Sequence, residues 1–170
     1  YVVGFNGLSA NTLAADHYQL DSLRGESWFQ EMVAADGAVC TSGTYKDESG
    51  GGVFRYYLFK GRLVKDHITG EPVGVVFFKI SEAKYAEAMG SAHNQNRQAY
   101  ILDGEDRVIS SWYKPDIGQR LGELQGWTGE SVKEEGYGVA RTAAGDEVMV
   151  VRVPVEGTGF TFVELIPLSQ

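Results

Sequence analysis

Short apolar runs separated by Gly, Asn and Asp dominate this chain, and their spacing predicts strands more often than helices. Tyr1-Val2-Val3-Gly4-Phe5 leads into Asn6-Gly7, so residues 1–13 are predicted to form a hairpin with a type I′ turn. Residues 14–25 are mixed and polar, a loop or short turn. Residues 26–36 carry Trp28 with Met32 and Phe29 with Val33, pairs four apart on one helical face, and Gly37 fits the position just past the helix end. Residues 38–41 are predicted as a strand, 42–52 as a loop ending in Gly50-Gly51-Gly52, and 53–66 as a long aromatic strand. A turn at 69–72 precedes residues 73–80, a near-continuous apolar run expected of a central strand buried on both faces. Ser81 is a candidate N-cap, with Glu82 suited to the positive end of a helix running to about residue 92. Beyond a polar linker at 93–97, strands are predicted at 98–103 and 107–112, a short helix at 115–124, and strands at about 136–143, 146–154 and 160–167.

The halves resemble each other faintly. Tyr1–Gly7 parallels Tyr100–Gly104, and residues 73–81 parallel 159–167, so each half opens with a hairpin and closes with a long apolar strand. Two copies of one small α+β unit is the simplest reading, with units at 1–92 and 93–170.

Composition narrows the class. The chain has 170 residues, enough for two small units, and 43% hydrophobic against 22% charged residues lets it fold. Its net charge of −8, with a pI near 4.9, opposes binding to phosphate backbones, so nucleic acid is not an expected partner. No apolar run approaches the roughly 18 residues a membrane helix needs. Tyr1 opens directly into a strand-like run, so the sequence reads as a piece of a longer chain. Cys40 is the single cysteine, which rules out an internal disulfide and a cysteine-based metal site.

The order of segments resembles the double-Cache fold, the extracellular ligand-sensing module of bacterial membrane receptors. Trp28-Phe29, Gly37, residues 57–64, Thr69-Gly70-Glu71 and Val73-Gly74-Val75-Val76 are similar to the membrane-distal unit. Residues 99–111, 117–122 and the closing 159–169 resemble the membrane-proximal unit and its last strand before a transmembrane helix. The resemblance covers nearly the whole chain and is greatest to sensor histidine kinases of Gram-positive bacteria; chemoreceptors and cyclic-dinucleotide enzymes carry the same module. It implies an α+β fold of two PAS-like Cache units in tandem, each a mainly antiparallel sheet flanked by short helices. The long N-terminal helix of family members is absent from this sequence. The resemblance further implies an extracellular location, membrane attachment only through flanking helices, a small-molecule ligand, and a homodimer in the full-length receptor.

Enzyme signatures are sparse. Gly7-Leu8-Ser9-Ala10-Asn11 lacks the final Gly of a nucleophile elbow, the Gly50–Gly52 triplet lacks the Lys-Ser/Thr of a phosphate loop, and His17, His67 and His93 have no metal spacing. Asp47-Glu48 and Glu134-Glu135 lack Ca²⁺-ligand spacing, and solvated loops are their plain reading. No catalytic residue, metal or cofactor is expected. In the resembled family the distal pocket lies between the sheet and the segments that cover it. That places Trp28 on the covering helix, Tyr45 in the long loop, and Tyr57 and Phe77 on adjacent strands as aromatic walls; core packing is the alternative for Trp28 and Phe77. Lys79 lies two residues after Phe77 and therefore on the same strand face. Amino-acid-sensing members often carry Asp here, so a pocket-facing Lys79 favours a carboxylate, phosphate or sugar acid; the alternative is a lysine reaching out to solvent. Arg24 resembles the carboxylate-binding Arg of amino-acid sensors, but the spacing here is Arg-x-x-x-Trp-Phe instead of Arg-x-Trp-Tyr. Arg62 is either a second pocket base or a fold-stabilising pair. Amino acids are therefore not the first expectation. A docking module for a solute-binding protein is the second hypothesis, and a hydrolase ranks last.

Overall fold

The two longest closing runs become the middle strands of two separate antiparallel sheets. The computed structural model describes residues 1–11, 18–47, 54–90, 97–126 and 136–168. It divides into Tyr1–Ser81 and Glu82–Gln170. The first unit contains β1 (Val2–Gly4), β2 (Ser9–Ala10), α1 (Leu20–Leu23), α2 (Ser27–Ala34), β3 (Cys40–Thr41), β4 (Tyr45–Asp47), β5 (Arg55–Lys65) and β6 (Pro72–Ser81). Its sheet runs β2-β1-β6-β5-β3, with β4 also paired to β5. The second unit contains α3 (Ala83–Ala88), β7 (Gln98–Leu102), β8 (Val108–Ser111), a 3₁₀ turn at Lys114–Asp116, α4 (Leu121–Gln125), β9 (Gly136–Arg141), β10 (Glu147–Val155) and β11 (Phe160–Pro167). Its sheet runs β8-β7-β11-β10-β9. With β4 set aside, both sheets follow one order, so the faint repeat in sequence is a repeat in topology. The longest helix among the described residues has eight residues, and none is long and apolar enough to cross a membrane.

Strand periodicity places the first core. Val75 and Phe77 are fully buried on one face of β6, and Phe59 and Leu63 of β5 lie on the same face, covered by Leu20, Leu23, Trp28 and Met32 of α1 and α2. The opposite face is not covered in the same way: Phe78 is 66% exposed. The expected burial of this strand on both faces is therefore corrected at Phe78, while Val76 and Ile80 on that face are half-buried and their neighbour Leu58 of β5 is buried. Gly61 sits opposite Phe77. A Cβ there would lie 2.6 Å from the Phe77 Cβ and would overlap the Val76 carbonyl. The missing side chain is what lets Phe77 lie across β5.

Several local expectations change. The first hairpin turns over Gly4–Gly7, closed by the Gly7 N–H on the Gly4 carbonyl at 3.0 Å, and Gly7 has φ +86 while Asn6 stays negative. That is a longer loop with a glycine bulge, not type I′, which needs two positive φ values. Helix α2 ends at Ala34 with Ala35 as its C-cap, and Asp36 (φ 51) precedes Gly37 (φ 98) in the left-handed region. Residues 45–47, expected as loop, form β4 because they pair with β5. Ser81 is the last residue of β6, not a cap; Glu82 precedes α3, and this helix belongs to the second unit. The helix expected at 115–124 is split into the 3₁₀ turn and α4, with Gly118 (φ 87) between them.

The second core is mainly aliphatic: Leu102, Val108, Val150, Val163 and Leu165 close under Leu121. Charges are built into this unit. Arg152, 4% exposed, donates to Asp106 at 2.6 Å. Glu82, 1% exposed, accepts from Ser110 Oγ and from Lys114 Nζ, the latter at 2.6 and 2.8 Å to its two oxygens. Removing one partner of a buried pair leaves a desolvated charge, which costs more than the pair contributes.

Two sets of substitutions test this account. Gly61→Ala should lower unfolding free energy by about 1–3 kcal/mol through overpacking, while Gly104→Ala, where nothing lies within 4 Å, should change it by less than about 0.5 kcal/mol. Lys114→Met should cost about 3 kcal/mol by stranding Glu82, and urea denaturation measures both.

Candidate functional site

The aromatic residues flagged in the first half meet on the covered face of its sheet. Helix α2 lays Trp28 flat on Phe59, with centroids 3.9 Å apart and an 8° interplanar angle, and tilts it against Phe77 at 5.0 Å. Each such pair contributes roughly 0.5–1.5 kcal/mol beyond the area it buries. Tyr45 pairs with Tyr57 across β4 and β5, approaches Phe59 edge-on at 5.9 Å, and shares a 2.6 Å hydrogen bond with Ser27 at the start of α2. Burial, then the nearby carboxylates of Glu31 and Glu26, raise the pKa of its hydroxyl against the pull of that hydrogen bond. Tyr45 therefore stays a neutral donor at physiological pH.

Lys79 closes the row. It is the register partner of Phe59, and its side chain is 14% exposed. Its ammonium lies 4.1 Å from the Tyr57 ring centroid, 5.9 Å from that of Tyr18, and 4.0 Å from the Asp47 carboxylate. The side chain thus stays on the aromatic face. The aromatic faces favour a cation, and Asp47 supplies an opposite charge at the outer limit of an ion pair.

The seven flagged residues do not all converge. Trp28, Tyr45, Tyr57, Phe77 and Lys79 share this face. Trp28 and Phe77 are 2% and 0% exposed, so both also serve as core. Arg24 is exposed at the end of α1, ion-pairs with Asp21 at 3.7 Å, and lines a separate cavity of about 400 Å³ with Phe5, Phe29 and Val33. Arg62 falls on the opposite strand parity from Phe59 and Leu63; it is exposed and lines a surface groove with Asp36 and Lys65.

Sequence reading missed three members of the cluster. Tyr18 lies in a segment read as loop, yet its ring meets Tyr1, Trp28, Phe59 and Phe77. Phe59 was legible, since it is two residues from Tyr57 on the same strand face. Asp47 was read as half of an acidic loop pair, and only β4 pairing brings it to Lys79.

Chemistry of other kinds finds little support. The Cys40 thiol is pushed up by burial and by Glu31, the opposite of the lowered value a nucleophile needs. Ser9 is exposed on β2 in a hairpin, not at a strand-to-helix elbow. Among the described residues no group of three acidic, His or Cys side chains is placed to hold a metal. His17, His93, Glu48, the Gly50–Gly52 triplet and Glu134-Glu135 lie outside the described residues.

Solved structures share this architecture. The ligand-binding domain of the Pseudomonas aeruginosa PAO1 amino acid chemoreceptor PctB, in complex with L-Arg, matches 98% of this chain with a TM-score of 0.72 and 15% identity. That of the Pseudomonas fluorescens chemoreceptor CtaA, with L-alanine, matches 99% with a TM-score of 0.70 and 14% identity. The chain has the tandem Cache fold. The ligand-binding domain of Mlp24 with asparagine shares it, with a TM-score of 0.64 and 14% identity over 98% of the chain. This chain spans 64% of the PctB chain, 72% of the CtaA chain and 66% of the Mlp24 chain. No family model matches the sequence, and neither does any curated protein.

The split between core and surface is measurable. Trp28→Ala should cost about 3–5 kcal/mol of stability, whereas Arg62→Ala should change it by less than about 0.5 kcal/mol in the same denaturation assay.

Proposed function

We propose that this chain is the extracellular ligand-sensing domain of a bacterial transmembrane receptor, and that its first unit, the membrane-distal one, binds a small carboxylate-bearing molecule through Lys79. The observation that carries the reading is the placement of Lys79: a charged side chain, largely buried, held on the aromatic face by Tyr57 and Tyr18. Lysine at a strand end has no need of that position, because its stem can reach solvent. Aromatic rings flanking one cation suit a flat or aliphatic ligand body with an anionic end. Sensing then requires that the ligand bind two arrangements of the domain with different affinity.

A second reading of the ligand rests on Asp47. Lys79 and Asp47 together offer one positive and one negative group, the complement of a zwitterion, and PctB and CtaA bind amino acids. The chemoreceptor neighbours likewise favour a chemoreceptor output over the sensor histidine kinase to which the sequence pattern is most similar.

Calorimetric titration of the chain with acetate, succinate, L-alanine and 4-aminobutyrate distinguishes these readings. A carboxylate held by Lys79 should bind at least about tenfold more weakly to Lys79→Met, a loss of roughly 1.4 kcal/mol. Asp47→Asn should weaken the amino acids and spare acetate and succinate if the zwitterion reading holds. Equal binding by wild type and Lys79→Met would overturn the carboxylate assignment.

A further inference from the structure

Among the described residues of the second unit two carboxylates are buried, and they are satisfied very differently. Glu82 has Lys114 on both oxygens and Ser110 besides. Asp116, 7% exposed, has neither a lysine nor an arginine as an ion-pair partner among the described residues. Its side-chain partners there are Ser111 Oγ, at a long 3.4 Å, and the Tyr100 hydroxyl, whose single proton it shares with Gln98 Oε1. Burial raises its pKa, and raises that of the neighbouring Tyr100 as well. A buried carboxylate with so little compensation is costly to keep ionised.

Asp116 does not face packed hydrocarbon. It borders a cavity of about 360 Å³ whose polar wall is made by Gln98, Tyr100, Ser111 and Gln125. Opposite the acid, three side chains form a closed triangle. The Tyr100 hydroxyl donates to Gln98 Oε1, and Gln125 Nε2 donates to Gln98 Oε1 and to the Tyr100 oxygen, each at 3.2 Å. This triangle uses one amide oxygen of Gln98 and one amide nitrogen of Gln125. The Gln98 nitrogen and the Gln125 oxygen are left to serve a ligand. Tyr100 and Ser111 are register partners on β7 and β8, so the strand pairing itself holds the two sides of the cavity.

We infer that this cavity is a second ligand site, for a small primary amine whose ammonium meets Asp116 and whose neutral polar tail meets Gln98 and Gln125. An ammonium supplies the charge that Asp116 lacks, and donates hydrogen bonds stronger than that of Ser111. Among the described residues no cationic side chain lines the cavity, which favours an ammonium over a carboxylate. The site is distinct from the Lys79 cluster, and its ligand has the opposite charge requirement.

The test is a side-chain amide NMR titration of the full chain with methylamine, ethanolamine and putrescine, with ethylene glycol as the uncharged control. Saturable shifts of the Gln98 and Gln125 amides are expected with at least one amine, and none with ethylene glycol. The affinity should fall about tenfold in Asp116→Asn and be unchanged in Gly104→Ala. Should Asp116→Asn not fold, Tyr100→Phe, which removes two of the triangle's three edges, is expected to weaken the same amine severalfold. No saturable shift with any amine up to about 20 mM overturns the assignment. So do equal responses to ethylene glycol or undiminished binding by Asp116→Asn or Tyr100→Phe.

Discussion

Trp28 lies flat on Phe59, 3.9 Å between ring centroids, and this contact sets where α2 sits over the first sheet. Close stacking leaves the helix little freedom to rotate, because one residue of rotation would replace the indole with Phe29 or Ser27. Phe77 fits beneath the same indole only because Gly61 leaves room across the strand. Once Phe59 and Phe77 face α2, the period of a strand sends Tyr57 and Lys79 to the same face. The position of the charge therefore follows from the packing of the rings.

The second unit repeats the strand order but not the chemistry. Its core is mostly aliphatic, and it carries buried charges where the first carries rings. Lys114 is the residue that differentiates its two acids: the 3₁₀ turn that begins with Lys114 ends with Asp116, yet the lysine reaches back to Glu82. Three hydrogen bonds from Lys114, two to Glu82 and one to the Ser111 carbonyl, hold it there. One topology thus presents two polar environments, as expected when function resides in side chains carried by a fold.

Much of the architecture was legible because its signals are local. A long apolar run marked β6 as a central strand and another marked β11 as a strand, and the turn residues bounded β7 to β11 closely. Failures came where pairing overrides propensity. Tyr45-Lys46-Asp47 reads as loop, since strand formation there depends on β5, and Ser81 reads as a cap because nothing nearby reveals that β6 continues through it. Among the flagged residues, Lys79 was placed by counting along its own strand. Arg62 was flagged without that count, and its even position beside odd-numbered Phe59 and Leu63 already assigned it to the other face.

What the sequence determined by itself was the sequence of elements and the face each strand residue takes, because both depend on spacing within a few residues. What only the tertiary structure decided was which charges meet. Asp47 and Lys79 lie on strands that do not pair with each other, and each pairs with β5. Glu82 gains Lys114 while Asp116 faces a cavity, although Asp116 is the closer in sequence. Electrostatic partners are chosen by distance through space and by access to water, and neither is a property of neighbouring positions in a chain.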